Sequence, residues 1–284
     1  MDADHEIFQS PLAVNPTFIE IDTPQNYRSY PDGEALPKKL KGWKVQEPTY
    51  PAVDPGVISN PYGFEDTPDA EVISSGVNSK GPNSAALARH ANFFLWGFSA
   101  PPSQMTEEGR RCFVNAVCYI SKFGGKSPLT QAIAHARDYA LIYANYVGQV
   151  NDENFLKRLF PPELRDKFGK DAQQYKAYYQ ENFEYLRPRS EGGYEVDEDA
   201  KALGASNRSV GLLEACIAKL ESGADTERAV RLLERYTAEQ HGKDAKAWRS
   251  WLDKNRNALY FSDSAGFKFL VDAAKLGART AASH

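Results

Sequence analysis

The feature that most constrains this chain is a change of texture near Thr106. Residues 1 to about 100 are rich in Pro, Gly, Asn, Asp and Ser, and only short β-prone pieces are embedded in them: Thr17–Ile21, Gly42–Gln46, Val57–Ile58, Glu71–Ser74 and Asn92–Trp96. Turn signals separate these pieces at Pro31-Asp32-Gly33, Asp54-Pro55-Gly56 and Asn60-Pro61-Tyr62-Gly63. From Thr106 onward apolar residues recur at helical spacing instead. Such a chain is expected to be α+β, with a loop-rich N-terminal part holding a small sheet and an all-helical part after it. The expected divisions are 1–105, 106–190 and 191–284.

The two textures meet in Glu71–Phe123. A polar loop feeds an apolar strand, Asn92–Phe98, then a Gly-Phe-Ser-Ala-Pro-Pro turn and an amphipathic helix, the order that closes an α/β layer. Thr106 is a good N-cap, and Glu107 and Glu108 suit the positive end of the helix dipole. Phe113, Val117 and Ile120 form one face, widened by Cys112, Ala116 and Tyr119, and Gly124-Gly125 ends the helix. Pro128 starts the next helix, with Ile133, Ala136, Ala140 and Ala144 on a small face. A short helix follows over Asn151–Leu159, and an aromatic one over Asp171–Leu186. Three more are expected at Ser209–Glu221, at Thr226–Gln240 behind Asp225, and at Ala245–Arg256 behind Asp244. A last helix covers Phe267–Leu276.

The run Leu203-Gly204, Asn207-Arg208, Leu213, Cys216-Ile217, Leu220, Ala229, Leu232-Leu233, Arg235-Tyr236-Thr237, Ala247–Leu252 and Asn255-Arg256 resembles the helical pairs of HEAT-type repeat proteins. It implies a docked helical subdomain over 203–256. Residues 89–123, with Arg89-His90 ahead of the strand and Trp96-Gly97-Phe98 inside it, resemble the C-terminal end of trehalose-utilisation-like, glutamine-amidotransferase-like α/β proteins. That likeness implies a bacterial, carbohydrate-related setting. The chain has no Gly-x-Cys-x-Gly elbow, so the activity of that family does not carry over.

Composition narrows the function classes. The formal net charge of −4 argues against a nucleic-acid surface. Pro37-Lys38-Lys39-Leu40-Lys41 is the nearest basic patch and reads as a solvated strand edge. Cys112, Cys118 and Cys216 read as small buried hydrophobes, not a disulfide framework. No apolar run is long enough for a membrane span, and no two histidines stand at metal-ligand spacing. No metal and no cofactor are expected. The acidic start, Met1–Glu6, lacks signal-peptide form. The chain as given reads as cytoplasmic, or as exported if it is a processed part of a longer protein.

The candidate chemistry lies between residues 60 and 90. Gly76–Ser84 has glycines, Lys80 and small polar groups able to cradle an anion, although Lys80 precedes Gly81-Pro82 and the loop is no P-loop. The plain alternative is a structural loop. His90 stands at a strand edge as a base or ligand, or as a hydrogen-bonding structural residue. Glu65, Asp66 and Asp69 are the carboxylates available for hydrolytic work. Tyr27, Tyr30, Trp43, Tyr50, Tyr62 and Phe64 lie in polar sequence, where aromatics stack on sugars or peptides, or else fill a core beneath loops. Glu195–Asp199 reads as a solvated helix N-terminus. The leading expectation is a non-catalytic binding or interaction protein. It would contact a protein partner or a polar small molecule such as a sugar through Tyr62, Phe64, Asn78, Lys80, Asn83 and His90. The alternative is a hydrolase acting on a carbohydrate through Glu65, Asp66, Asp69 and His90. A third reading is a structural fragment of a longer multidomain protein.

Overall fold

The computed structural model describes residues 1–30, 33, 35–46, 58–60, 62–78 and 81–276. Its fold is α+β, with small antiparallel sheets and many short helices. Contacts group the chain into two units, Met1–Pro61 with Asp69–Leu129, and Tyr62–Pro68 with Thr130–His284.

The first unit holds β1 (Phe18–Asp22), β2 (Lys39–Trp43), β3 (Ala70–Ser75), β4 (Ala85–His90), β5 (Phe93–Trp96) and α1 (Glu107–Ser121). β1 and β2 form an antiparallel pair that sets Phe18 opposite Trp43 and Ile21 opposite Leu40. The other strands make an antiparallel sheet in the order β3-β4-β5, not a parallel layer. Its buried strand is β4, where Ala85, Ala86, Leu87 and Ala88 are inaccessible. Alanine is a poor strand former, so this run reads as loop in sequence. The apolar strand expected to be buried is the edge strand β5, and Phe93 is 64% exposed.

Thr106 caps α1 as expected, its Oγ1 accepting the Gly109 N–H at 3.0 Å. A glycine is required there, because a Cβ at 109 would lie 2.3 Å from the Val45 carbonyl oxygen. The buried face of α1 is Cys112, Asn115, Ala116 and Tyr119, rotated from the expected one, and Val117 is exposed. The rotation has a polar cause. Asn115 is buried because Nδ2 donates to the carbonyls of Ile7 (2.9 Å) and Leu12 (2.6 Å), while Oδ1 accepts the Leu12 N–H (2.9 Å). That grip seats Ile7 and Phe8 in a core with Val14, Ile73, Leu87, Cys112 and Tyr119. Cys118 is exposed on α1, which corrects the expectation that all three thiols are buried.

The second unit holds α2 (Asp138–Tyr146), α3 (Glu153–Leu159), α4 (Pro162–Phe168), α5 (Ala172–Glu181), β6 (Leu186–Pro188), β7 (Tyr194–Val196), α6 (Glu198–Leu203), α7 (Val210–Ser222), α8 (Thr226–Tyr236), α9 (Ala245–Asn255), β8 (Leu259–Ser262) and β9 (Lys268–Val271). Tyr175 and Tyr179 of α5, Leu212, Leu213 and Cys216 of α7, Leu232 and Leu233 of α8 and Trp248 of α9 share one core. α7 to α9 fall where helical spacing places them.

Two expectations fail here in whole or in part, each for a tertiary reason. The helix expected from Pro128 starts only at Asp138. The Ile133 and Ala134 N–H groups both donate to the Ser264 carbonyl (2.8 and 3.0 Å) and so cannot serve a helix. The helix expected over Phe267–Leu276 is only half realised: Lys268–Val271 form the strand β9, paired antiparallel with β8 from Leu259–Val271 to Ser262–Lys268, while residues 273–276 are helical. A short apolar run such as Lys268-Phe-Leu-Val fits both periods. Gly192 and Gly193 lie in the connection of the β6–β7 hairpin. Gly193 has φ +69°, and a Cβ on it would lie 1.8 Å from the Leu159 carbonyl oxygen, so only glycine fits.

Candidate functional site

The first unit contains a cleft of about 580 Å³, within the range of small-molecule sites, about 300–1,000 Å³. Strand alternation puts Ile19 and Ile21 of β1 and Leu40 and Gly42 of β2 on one face of that pair, and all four line the cleft. Gly76, Ala86 and Gly97 leave another part of its lining almost bare of side chains, and Trp43 and Phe98 add aromatic surface. Gly97 is sterically required, and Gly76 is tightly packed. A Cβ on Gly97 would stand 2.7 Å from the Ala86 carbonyl oxygen, and one on Gly76 would stand 3.0 Å from the Ala86 Cβ. Apolar surface is left uncovered, since Phe18 is 41% and Ile19 44% exposed.

The loop after β3 is built around Asn78. Its buried Nδ2 donates to the Gly76 and Gly81 carbonyls (2.6 and 3.1 Å), and its Oδ1 accepts the Gly81 N–H (3.0 Å). The hydroxyl of buried Tyr27 accepts the Asn78 N–H at 2.9 Å, and burial raises the pKa of that hydroxyl. Asn78 thus shapes the loop with its own amide. Asn83 is exposed and lines the cleft. Lys80 and Tyr50 lie outside the described residues.

The remaining expected residues divide between the units. Asp69 and His90 belong to the first, where His90 Nε2 is 3.6 Å from Asp69 Oδ1. Asp69 Oδ2 accepts the Leu129 N–H at 2.9 Å. Tyr62, Phe64, Glu65 and Asp66 belong to the second. There Tyr62 packs edge-on against Tyr139, with ring centroids 6.2 Å apart, and the Phe64 carbonyl accepts the Thr67 hydroxyl at 3.0 Å. Among the described residues, Asn83 of the expected contact residues lines the large cleft, as do Tyr27 and Trp43 of the loop aromatics.

Two polar clusters escaped the sequence reading. In the first unit, Glu71 and Arg89 are direct cross-strand partners, and Arg89 Nε donates to Glu71 Oε1 at 2.7 Å. The Tyr119 hydroxyl donates to the same oxygen. Burial and that carboxylate push the hydroxyl up to about 12. His5 lies 3.7 Å from Glu71, and the Arg89 guanidinium stacks on Phe123 at 4.0 Å. In the second unit, Arg137 is buried with Nε and Nη2 on the two oxygens of Asp263 (2.8 and 2.7 Å).

A smaller cleft of the second unit, about 380 Å³, is lined by Glu65, Asp66, Asp138, Asp263 and Arg208. Asp66 accepts the Ser262 hydroxyl (3.0 Å) and the Asp263 N–H (2.7 Å). Burial, aided by the Asp263 charge, still outweighs those bonds and pushes Asp66 up to about 6. A carboxyl whose folded pKa is raised contributes stability that is complete below its unfolded value and is lost as pH rises through about 6. Unfolding of the second unit in denaturant should therefore show Asp66 supplying about 1–2 kcal/mol near pH 4, after allowance for solvent screening, and little near pH 8. Asp66→Asn should flatten that slope. An unchanged slope in the variant would show that Asp66 ionises as an ordinary carboxylate.

Among the described residues, no group of three or more His, Cys, Asp or Glu side chains is placed to hold a metal ion. Among the same residues, no helix is long and apolar enough to cross a membrane. Comparison of the chain with family models, curated proteins and solved structures finds no match.

Proposed function

We propose that this chain is a non-catalytic binding protein whose first unit takes a small molecule with an apolar body. The observation that carries the reading is the 580 Å³ cleft, with Ile19, Ile21, Leu40, Trp43 and Phe98 in its lining. Ligand sites are typically concave and mostly apolar, with few polar groups to fix orientation. This lining suits an apolar body better than the sugar suggested by the loop aromatics. The test is fluorescence titration with N-phenyl-1-naphthylamine, a neutral apolar dye. Wild-type protein should bind one dye, and Ile19→Asp should weaken binding by at least about tenfold, because the new carboxylate would be desolvated without a partner. Ile19 is 44% exposed, so the variant should stay folded with a stability change of about 0.5 kcal/mol or less. Equal dye affinity in the variant would remove the cleft as the site.

A second reading, a hydrolase acting on a carbohydrate, is favoured by Asp66. A carboxyl held near 6 beside Glu65, Asp138 and Asp263 has the proton affinity of a general acid. Hydrolysis of an aryl-glycoside panel, lost in Asp66→Asn and falling as pH rises through about 6, would favour this reading. Turnover unchanged by Asp66→Asn would exclude Asp66 from the chemistry.

A further inference from the structure

β5 is the edge of its sheet, and its outer side is open. The Gly97 N–H donates to the Ala86 carbonyl at 2.7 Å. Bonded pairs alternate along an antiparallel ladder, so Leu95 and Phe93 exchange their backbone bonds with Ala88 and His90 of β4. The N–H and C=O groups of Phe94 and Trp96 therefore point away from β4. Among the described residues no strand pairs with them and no other hydrogen bond reaches them. Natural edge strands are blunted by a charge, a proline or a bulge. The Phe-Phe-Leu-Trp sequence of β5 has neither charge nor proline, and its pairing with β4 runs without a register shift. Apolar surface flanks this edge on both faces of the sheet. Phe93 is 64% exposed on one face. On the other, α1 lies over β5, with Phe113 against Trp96 (ring centroids 5.1 Å apart) and Tyr119 against Phe94 (6.2 Å). Phe113, Val117 and Ile120 share one side of α1 by helical spacing. Phe113 and Ile120 are only half-buried, and Val117 is 54% exposed.

We infer that a second copy of this chain covers this surface, pairing β5 with β5 antiparallel about a two-fold axis at Leu95. The inference is independent of the cleft reading above. The edge is its own complement: with Phe94 opposite Trp96 of the second copy, and Trp96 opposite its Phe94, every outward N–H of the two strands meets an outward carbonyl. Phe93 then stands across from Gly97 of the second copy, where no side chain competes for the space. The contacts of Phe113 and Tyr119 set Leu95 beside the middle of α1. The same axis therefore lays the two α1 helices antiparallel and brings their Val117 side chains together. Charge agrees with this arrangement. Arg110 stands one heptad before Val117 on the same side of α1 and is exposed, and its Nη1 donates to the Met105 carbonyl rather than to a carboxylate. The axis carries Arg110 to the C-terminal end of the other α1, where the helix dipole is negative. A contact between identical patches closes on itself, so the product is a dimer and not a filament.

The test is sedimentation equilibrium of the full chain, whose monomer is 31.6 kDa. Wild-type protein should dimerise with a dissociation constant of about 10 µM or less. Val117→Arg sets two like charges at the axis and should weaken the dimer at least about a hundredfold. Phe93→Lys, at a second exposed position, should weaken it at least about tenfold. Amide hydrogen exchange locates the contact. The Phe94 and Trp96 amides should exchange slowly in the wild-type dimer and fast in either variant, while the Gly97 amide, bonded within the chain, stays protected in all three and shows that the fold is intact. A wild-type chain that is monomeric at about 100 µM overturns the inference. A dimer that both substitutions leave intact, or one whose Phe94 and Trp96 amides exchange fast, overturns it as well, because the copies then meet elsewhere.

Discussion

Replacing Arg137 by alanine should destabilise the second unit by about 3–5 kcal/mol. The side chain is 1% exposed, and its bonds form a closed set. Nε and Nη2 take both oxygens of Asp263, and Nη1 donates to Asn207 Oδ1 at 3.0 Å and to the Phe183 carbonyl at 3.1 Å. The rings of Phe183, Phe261 and Phe267 stand 5.3–5.8 Å from the guanidinium carbon. Removing the cation leaves the Asp263 carboxylate and the Asn207 carbonyl oxygen in that surrounding without their strongest donor. The cost is therefore the unpaired charge rather than the lost attraction. The double variant Arg137→Met, Asp263→Asn should recover part of the loss, because it removes both charges and keeps the volume. Denaturant unfolding followed by far-ultraviolet circular dichroism reads both. A loss below about 1 kcal/mol in Arg137→Ala would mean that water reaches Asp263 and the pair is not buried.

Asp197→Ala should cost a similar amount, about 3–5 kcal/mol, for a different combination of reasons. Asp197 is buried, not a member of a solvated helix end as its acidic neighbours suggest. Oδ1 caps α6 by accepting the Asp199 and Ala200 N–H groups (3.1 and 3.2 Å). Oδ2 accepts the Tyr236 hydroxyl at 2.7 Å and Arg235 Nη1 at 2.5 Å. The cap alone contributes about 1 kcal/mol, and the rest comes from the buried Tyr236 hydroxyl and a half-buried guanidinium losing their acceptor. Asp197→Asn keeps an acceptor for the cap and loses the charge, so its midpoint in a denaturant titration should fall between wild type and alanine. Equal midpoints for the asparagine and alanine variants would show that the charge, not the cap, sets the cost.

What could be read from the sequence follows from how local each signal is. Thr106 and Asp244 each cap the helix they announce, because a cap needs only its own next three residues. Asp225, expected to cap α8, does not do so with its side chain: its backbone is left-handed and its carboxylate pairs with Arg228 instead. The α+β division was legible for the same reason. β4 was not, since the burial of Ala85–Ala88 depends on neighbours on both sides and not on their own propensity. Arg137 gave no local sign of its role, because Asp263 is 126 residues away along the chain. The cleft was hidden for a further reason. Part of it is lined by Gly76, Ala86 and Gly97, where side chains are small or missing, and searches for chemistry-bearing side chains pass over such places. Lys39 and Lys41 were read correctly as a strand edge, but the edge borders apolar surface that only the fold reveals.

The most direct measurement is amide chemical-shift mapping of isotopically labelled protein titrated with N-phenyl-1-naphthylamine. With the cleft as the site, saturable shifts should centre on Ile19, Leu40, Gly42, Gly76 and Gly97, the backbone that lines it. Shifts confined to the second unit, or none at saturating dye, would contradict it.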